Sequence, residues 1–165
     1  MPIGKTKTWR QALIMATTAA LLAQVFGACI EGDNTVGGFI GTVEGESFDV
    51  VSGRAEHFGT GLEIVLSDAP GDDCFGTGSV EPVGNRKVIL STDAARADRF
   101  ETAGGGQISI QIKSAGDVFS SRTATGSFTL ETLELNEDGE VAGSIEATSA
   151  EGDDLKGSFF VTFCP

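Results

Sequence analysis

The chain has 165 residues, 40% apolar and 7% aromatic, with 24 acidic against 11 basic residues and a formal net charge of −13. That length suits one ordinary domain, and so acidic a surface repels phosphate backbones, which argues against nucleic acid as a partner. There is no Tyr and a single Trp, Trp9, so the flat, polar-edged rings on which sugar-binding surfaces and many protein hot spots rely are missing.

Lys5, Lys7 and Arg10 make a positive start with no acidic residue before Glu31, and the apolar run from Ala12 to Ala23 follows. A basic stretch, about a dozen apolar residues and then small residues describe an export signal over residues 1–28. The run is short of the roughly 20 apolar residues that a spanning helix needs. Cys29 stands at the foot of this segment and admits more than one use. A cut after Gly27, with Val25 two residues before it, would leave Cys29 as an ordinary thiol in a soluble secreted protein, and an uncleaved signal would act as an anchor. The stretch Phe26-Gly27-Ala28-Cys29 also resembles the bacterial lipoprotein signal, a large apolar residue and two small ones ahead of the cysteine to be acylated. It departs from the usual pattern in carrying Phe where Leu is commoner and Gly at the next position.

Loss of residues 1–28 removes three basic residues and no acidic one, which leaves 8 against 24 and a net charge of −16. Residues 29–38 then read as the lipidated Cys29 and a flexible, polar, glycine-containing tether. From Phe39 to the end, residues 39–165, the pattern is that of a single β-domain. Phe39–Glu44 and Ser47–Ser52 flank Gly45-Glu46 as a hairpin. Leu62–Ser67 and Lys87–Leu90 alternate, with Val65 and Ile89 apolar on the second face as well. Gln107–Lys113 is the cleanest case, three Ile on one face and polar residues on the other, the mark of a half-buried antiparallel strand.

Thr92–Phe100 is the one expected helix, two turns with Thr92 as N-cap. The last forty residues predict a three-strand meander, with turns at Asn136–Glu140 and Glu151–Asp154. Phe128 and Leu130 lie on the opposite parity from Leu133 and Leu135, so a bulge is expected near Glu131-Thr132. Three Gly-Ser pairs, at Gly126, Gly143 and Gly157, mark places where backbones approach or the sheet bends. Phe159, Val161 and Phe163 point inward and Cys164 does not. Eight or nine short strands result, expected as an antiparallel β-sandwich, with an up-and-down barrel as the alternative. Residues 68–86 and 93–106 are read as inter-sheet crossings.

Little chemistry accompanies this frame. His57 is the one histidine, and no nucleophile-elbow sequence accompanies it, so no catalytic residue is assigned and the chain is read as no enzyme. Ser67–Asp73, Asn136–Glu140 and Glu151–Asp154 gather the oxygen donors that calcium favours, without EF-hand spacing, and hairpin turns account for them equally. Gly104-Gly105-Gly106 lacks the Lys and helix of a phosphate loop and reads as a connection. No cofactor is expected. Cysteine parity ties to the lipid: an odd thiol in an exported chain needs an explanation, and acylation of Cys29 leaves Cys74 and Cys164 as a pair for an oxidising compartment, or as two separate buried thiols.

The arrangement as a whole resembles the small bacterial lipoproteins made of signal, lipidated Cys, tether and one β-domain, and Phe26–Cys29 is the specific part of that likeness. The resemblance implies a cell-envelope protein held to a membrane by acyl chains, palmitate among them, on Cys29. Ile30 stands where an inner-membrane retention Asp would, which directs it to the outer membrane. Its role would be structural or the binding of another envelope protein, with a calcium- or small-ligand-binding domain as the alternative.

Overall fold

Alternating apolar and polar residues build the whole described chain from strands, because period two places one side chain inward and the next outward. The computed structural model describes residues 36–72, 74, 82–114 and 118–165. Its strands are β1 (Gly37–Val43), β2 (Glu46–Asp49), β3 (Ser52–Phe58), β4 (Gly61–Ser67), β5 (Arg86–Thr92), β6 (Arg99–Glu101), β7 (Gly106–Lys113), β8 (Phe119–Leu133), β9 (Glu140–Ser149) and β10 (Asp154–Cys164). The protein is all-β, and no helix occurs among the described residues. Asn34–Pro165 forms one unit, and Gly37 and Gly38, expected in the tether, already belong to β1.

Pairing runs β3-β4-β5-β7-β8-β9-β10, each step antiparallel, and returns to β3 through a parallel contact of Thr162–Cys164 with Arg54–Glu56. Seven strands thus form a closed ring of pairings, which favours the barrel alternative over the expected sandwich. The two long segments are not crossings between sheets. They join strands that are direct neighbours, β4 to β5 and β5 to β7. The last strand, β10, lies between β9 and, in turn, β1 and β3.

One apolar core fills the fold. Leu62, Ile64 and Leu66 of β4, Val88 and Leu90 of β5, Ile108 and Ile110 of β7, and Phe159, Val161 and Phe163 of β10 are all buried. Ile40 and Val43 of β1 and Phe48 of β2 are fully buried too, so the first hairpin contributes to the same core. Its turn is Glu44-Gly45, with φ of 55° and 77°, one residue earlier than the sequence pattern suggested. Positive φ at both central residues is what a two-residue type I′ turn demands, and Gly45 meets it without cost.

The expected bulge is present: the β8–β9 register shifts between Leu130 and Thr132, which restores Leu133 opposite Val141. The Gly-Ser pairs mark close approach. A Cβ at Gly126, Gly143 or Gly157 would strike the carbonyl oxygen of Glu146, Thr129 or Phe39 respectively. The expected helix at Thr92–Phe100 does not form. Thr92 ends β5 opposite Gly106, and its hydroxyl accepts from the Leu62 N–H and donates to the Ala94 carbonyl. Phe100 instead joins β6 and stacks on Phe128 at 5.4 Å between ring centroids. Burial of that ring outweighs the weak propensity of a nine-residue segment, which is too short to hold a helix alone.

Candidate functional site

Cys29 lies outside the described residues. Cys74 and Cys164 come together, their Sγ atoms 2.06 Å and their Cα atoms 5.2 Å apart. His57, near the end of β3, packs edge-on against Phe163 at 5.2 Å, a structural contact for an exposed ring. Gly105 turns the chain at φ 97° just before β7, as a connection should.

Two of the three loops read as possible calcium ligands, Ser67–Asp73 and Glu151–Asp154, spend described carboxylates on arginine and lysine. Asp68 accepts from the Arg86 backbone N–H at 2.8 Å and from Arg86 Nε at 2.5 Å. Asp72 is engaged by Lys87 and Arg54, and Asp153 by Arg122. Among the described residues no three His, Cys, Asp or Glu side chains gather as a metal site would require.

The most elaborate polar arrangement is on the outer face of β3, β4 and β5. In-register pairing sets Ser52, Ser67 and Lys87 in one row across these strands, with Arg54 and Val65 in the next. The chain leaving β4 folds back over this face as a strap, Asp68–Asp72 with Cys74. Pro70 and Gly71, at φ 115°, supply the bend. The Ser52 hydroxyl donates to the Ala69 carbonyl at 2.5 Å and accepts from the Asp72 N–H at 3.1 Å. The Ser67 hydroxyl is fully buried and faces the Ala69 carbonyl at 2.9 Å and Asn85 Oδ1 at 3.1 Å.

Asp72 is the centre of the cluster, 5% exposed. Lys87 Nζ donates to Oδ1 at 2.9 Å and lies 2.9 Å from Oδ2, while Arg54 Nη1 donates to Oδ1 at 3.2 Å. Lys87 Nζ also stands 5.6 Å from the centre of the Phe119 ring, and Lys113 Nζ 5.9 Å from it. A buried carboxylate between two cations holds its place at a high desolvation cost, so partners removed singly leave an expensive charge behind. The Cys74–Cys164 bridge ends this strap on β10, where Thr162–Cys164 run beside Arg54–Glu56.

A second pair of ionic contacts secures the first hairpin. Arg86, besides holding Asp68, donates to the carbonyls of Val43 and Ser47 at 3.0 Å each. Arg122 Nη2 donates to Asp153 Oδ1 at 2.7 Å, and its Nε lies 2.7 Å from Oδ2. Asp153 also accepts from the Ser149 hydroxyl at 2.6 Å and the Glu44 N–H at 2.9 Å. Burial alone would raise its pKa, but the Ser149, Glu44 and Arg122 donors outweigh it and hold the carboxyl below its ordinary value. These contacts join the β9–β10 turn, β8 and the β1–β2 turn.

Asp72 and Asp153 fall in loops read from the sequence as possible calcium ligands, whereas none of Arg54, Lys87 and Arg122 was singled out. The one local signal was a Lys or Arg on an otherwise apolar strand, Lys87 ahead of Val88-Ile89-Leu90 above all. The remaining grooves are open depressions on the sheet surface, one of them lined by Arg99, Ser127, Thr129, Ser144, Glu146 and Lys156. No family model, no curated protein and no solved structure matches this chain.

Proposed function

We propose that the protein is exported, acylated at Cys29 and works as a non-catalytic lipoprotein of the cell envelope, with a structural or protein-binding role for its acidic β-domain. The observation that carries this reading is the order of Lys5, Lys7 and Arg10, the apolar run Ala12–Ala23 and Phe26-Gly27-Ala28-Cys29. A thiol is needed there because the diacylglycerol is joined as a thioether before the new amine is exposed. Two signals anchor stably where one chain alone binds reversibly, and a triply acylated cysteine exceeds that requirement. Ile30 directs the anchored protein to the outer membrane.

We read the closed ring of seven strands as a small barrel, its interior taken up by packed side chains as expected at this strand number. Its buried interior of Leu, Ile, Val and Phe supports a domain that presents a surface rather than one that encloses a ligand. Between Cys29 and Val36 the chain reaches at most roughly 25 Å when fully extended. The domain therefore works close to the anchoring surface. Expression in a bacterium, membrane fractionation and the mass of the mature protein test the proposal. An acylated protein beginning at Cys29 is expected, and Cys29→Ser should leave the domain folded and soluble. A mature chain that begins at Ala28 or carries no acyl chains refutes it.

A further inference from the structure

We infer that the outer face where β1 begins, built from Phe39, Val51 and Phe160, is a lipid-contact patch. It seats the domain on the zwitterionic phospholipid surface entered by the acyl chains of Cys29. This rests on the lipoprotein reading, because only an acylated Cys29 keeps such a surface within reach.

The first observation is an apolar row on the solvent side of the sheet. Phe160 pairs with Gly37 on one side and with Ala142 on the other. Its neighbours Phe159 and Val161 are buried, so its own half-buried ring points outward. That ring lies across Gly37, where an added Cβ would come within 2.9 Å of the Phe160 Cζ. The Val50 N–H donates to the Gly38 carbonyl at 2.8 Å, which puts the next residue, Val51, beside Gly37. Val51 is 52% exposed, and Phe39, two positions along β1 from Gly37, is 48% exposed. Large apolar side chains grouped in this way on a water-facing surface mark a contact site.

The second observation is where this row lies. Val36 leads directly into β1, so the chain coming from Cys29 joins the domain in the middle of the patch. From Cys29 to Val36 it extends at most roughly 25 Å, and as a flexible coil it averages about 15 Å. A compact domain of this length is roughly 35 Å across. A tether shorter than the domain is wide keeps the face around its attachment point turned to the membrane. Anchoring also makes the contact intramolecular, so a few modest apolar contacts suffice to seat it. Charge selects the kind of lipid. Exposed Asp49 pairs with Phe39, and 24 acidic residues against 8 basic ones follow the signal, so anionic headgroups are repelled and zwitterionic ones fit.

Trp9 is the only Trp and there is no Tyr, so once the signal is removed a Trp placed on the patch reports alone. Phe39→Trp and Val51→Trp are two independent reporters, either of which suffices. Phe58→Trp is the remote reference, because exposed Phe58 stands six residues, roughly 20 Å, along β3 beyond the level of Phe160. Each full chain is expressed in a bacterium, purified, weighed by mass spectrometry and reconstituted into phosphatidylcholine vesicles with plain or brominated acyl chains. Emission of the two patch reporters should move to shorter wavelength than in their Cys29→Ser counterparts in buffer, and brominated chains should quench it. Phe58→Trp should show neither effect. An acylated mass with unshifted, unquenched patch reporters would overturn the patch and leave the lipoprotein reading standing, whereas a mass without acyl chains would overturn both. Equal quenching of Phe58→Trp would overturn the orientation. A shift in the lipid-free Cys29→Ser reporters as their own concentration rises would assign the face to a second copy and overturn it too.

Discussion

Replacing Asp153 by Ala tests the ionic clasp on the first hairpin most directly. The carboxylate is 2% exposed and receives Arg122, Ser149 and the Glu44 N–H. Its removal leaves the Arg122 guanidinium, whose side chain is 18% exposed, with Glu44 at 3.7 Å as its one ionic partner among the described residues. Breaking a buried pair from one side costs about 3–5 kcal/mol. Against a total stability of roughly 5–15 kcal/mol, that is a large share. For a domain of this size each kcal/mol lowers the melting temperature by about 3–5 °C, so a fall of roughly 10–20 °C is expected. Circular dichroism during heating and in urea measures it.

The pH dependence is a second, sharper readout. Because the folded pKa of Asp153 lies below its ordinary 3.8, its contribution is present above that value and fades as the pH falls through the folded pKa. The gap between wild type and Asp153→Ala should therefore be full at neutral pH and shrink at strongly acidic pH. Arg122→Met added to Asp153→Ala should cost less than the two singly, since the stranded charge is gone. A loss below about 1 kcal/mol at neutral pH, or a gap that does not close in acid, would refute the reasoning.

The other expectations concern the core and the cysteines. Ile110→Ala should cost about 2–5 kcal/mol in urea unfolding, because Ile110 is fully buried, whereas half-exposed Gln111→Ala should be near neutral; equal losses would mean the alternation does not separate two faces. Non-reducing peptide mapping should link the Cys74 and Cys164 peptides, and two free thiols in exported protein would reject the pairing. At a sequence separation of 90, the bridge should contribute about 4–5 kcal/mol in the loop-entropy description, and Cys74→Ser and Cys164→Ser should cost similar amounts.

Strand faces were legible in the sequence because they are a local property. Period-two alternation at Ile108, Ile110 and Ile112 states which side chains point inward whatever lies opposite, and the parity change after Leu130 announced the bulge found there. The cysteine pair was expected only once the lipoprotein resemblance had set Cys29 aside, because three cysteines by themselves leave three possible pairings. Thr92–Phe100 misled because its helical signals are worth fractions of a kcal/mol each, against the burial of Phe100 on Phe128, which only the folded chain provides. The hairpin slipped by one residue because either of two adjacent pairs in Glu44-Gly45-Glu46 could turn the chain, and burial of both Val43 and Phe48 decided between them. The closed ring, with its parallel return from β10 to β3, has no local signature, since alternation names a face and never a neighbour. The same holds for Asp72. Its carboxylate meets a lysine 15 residues away and an arginine 18 residues away, and only tertiary packing brings such separated charges to one point.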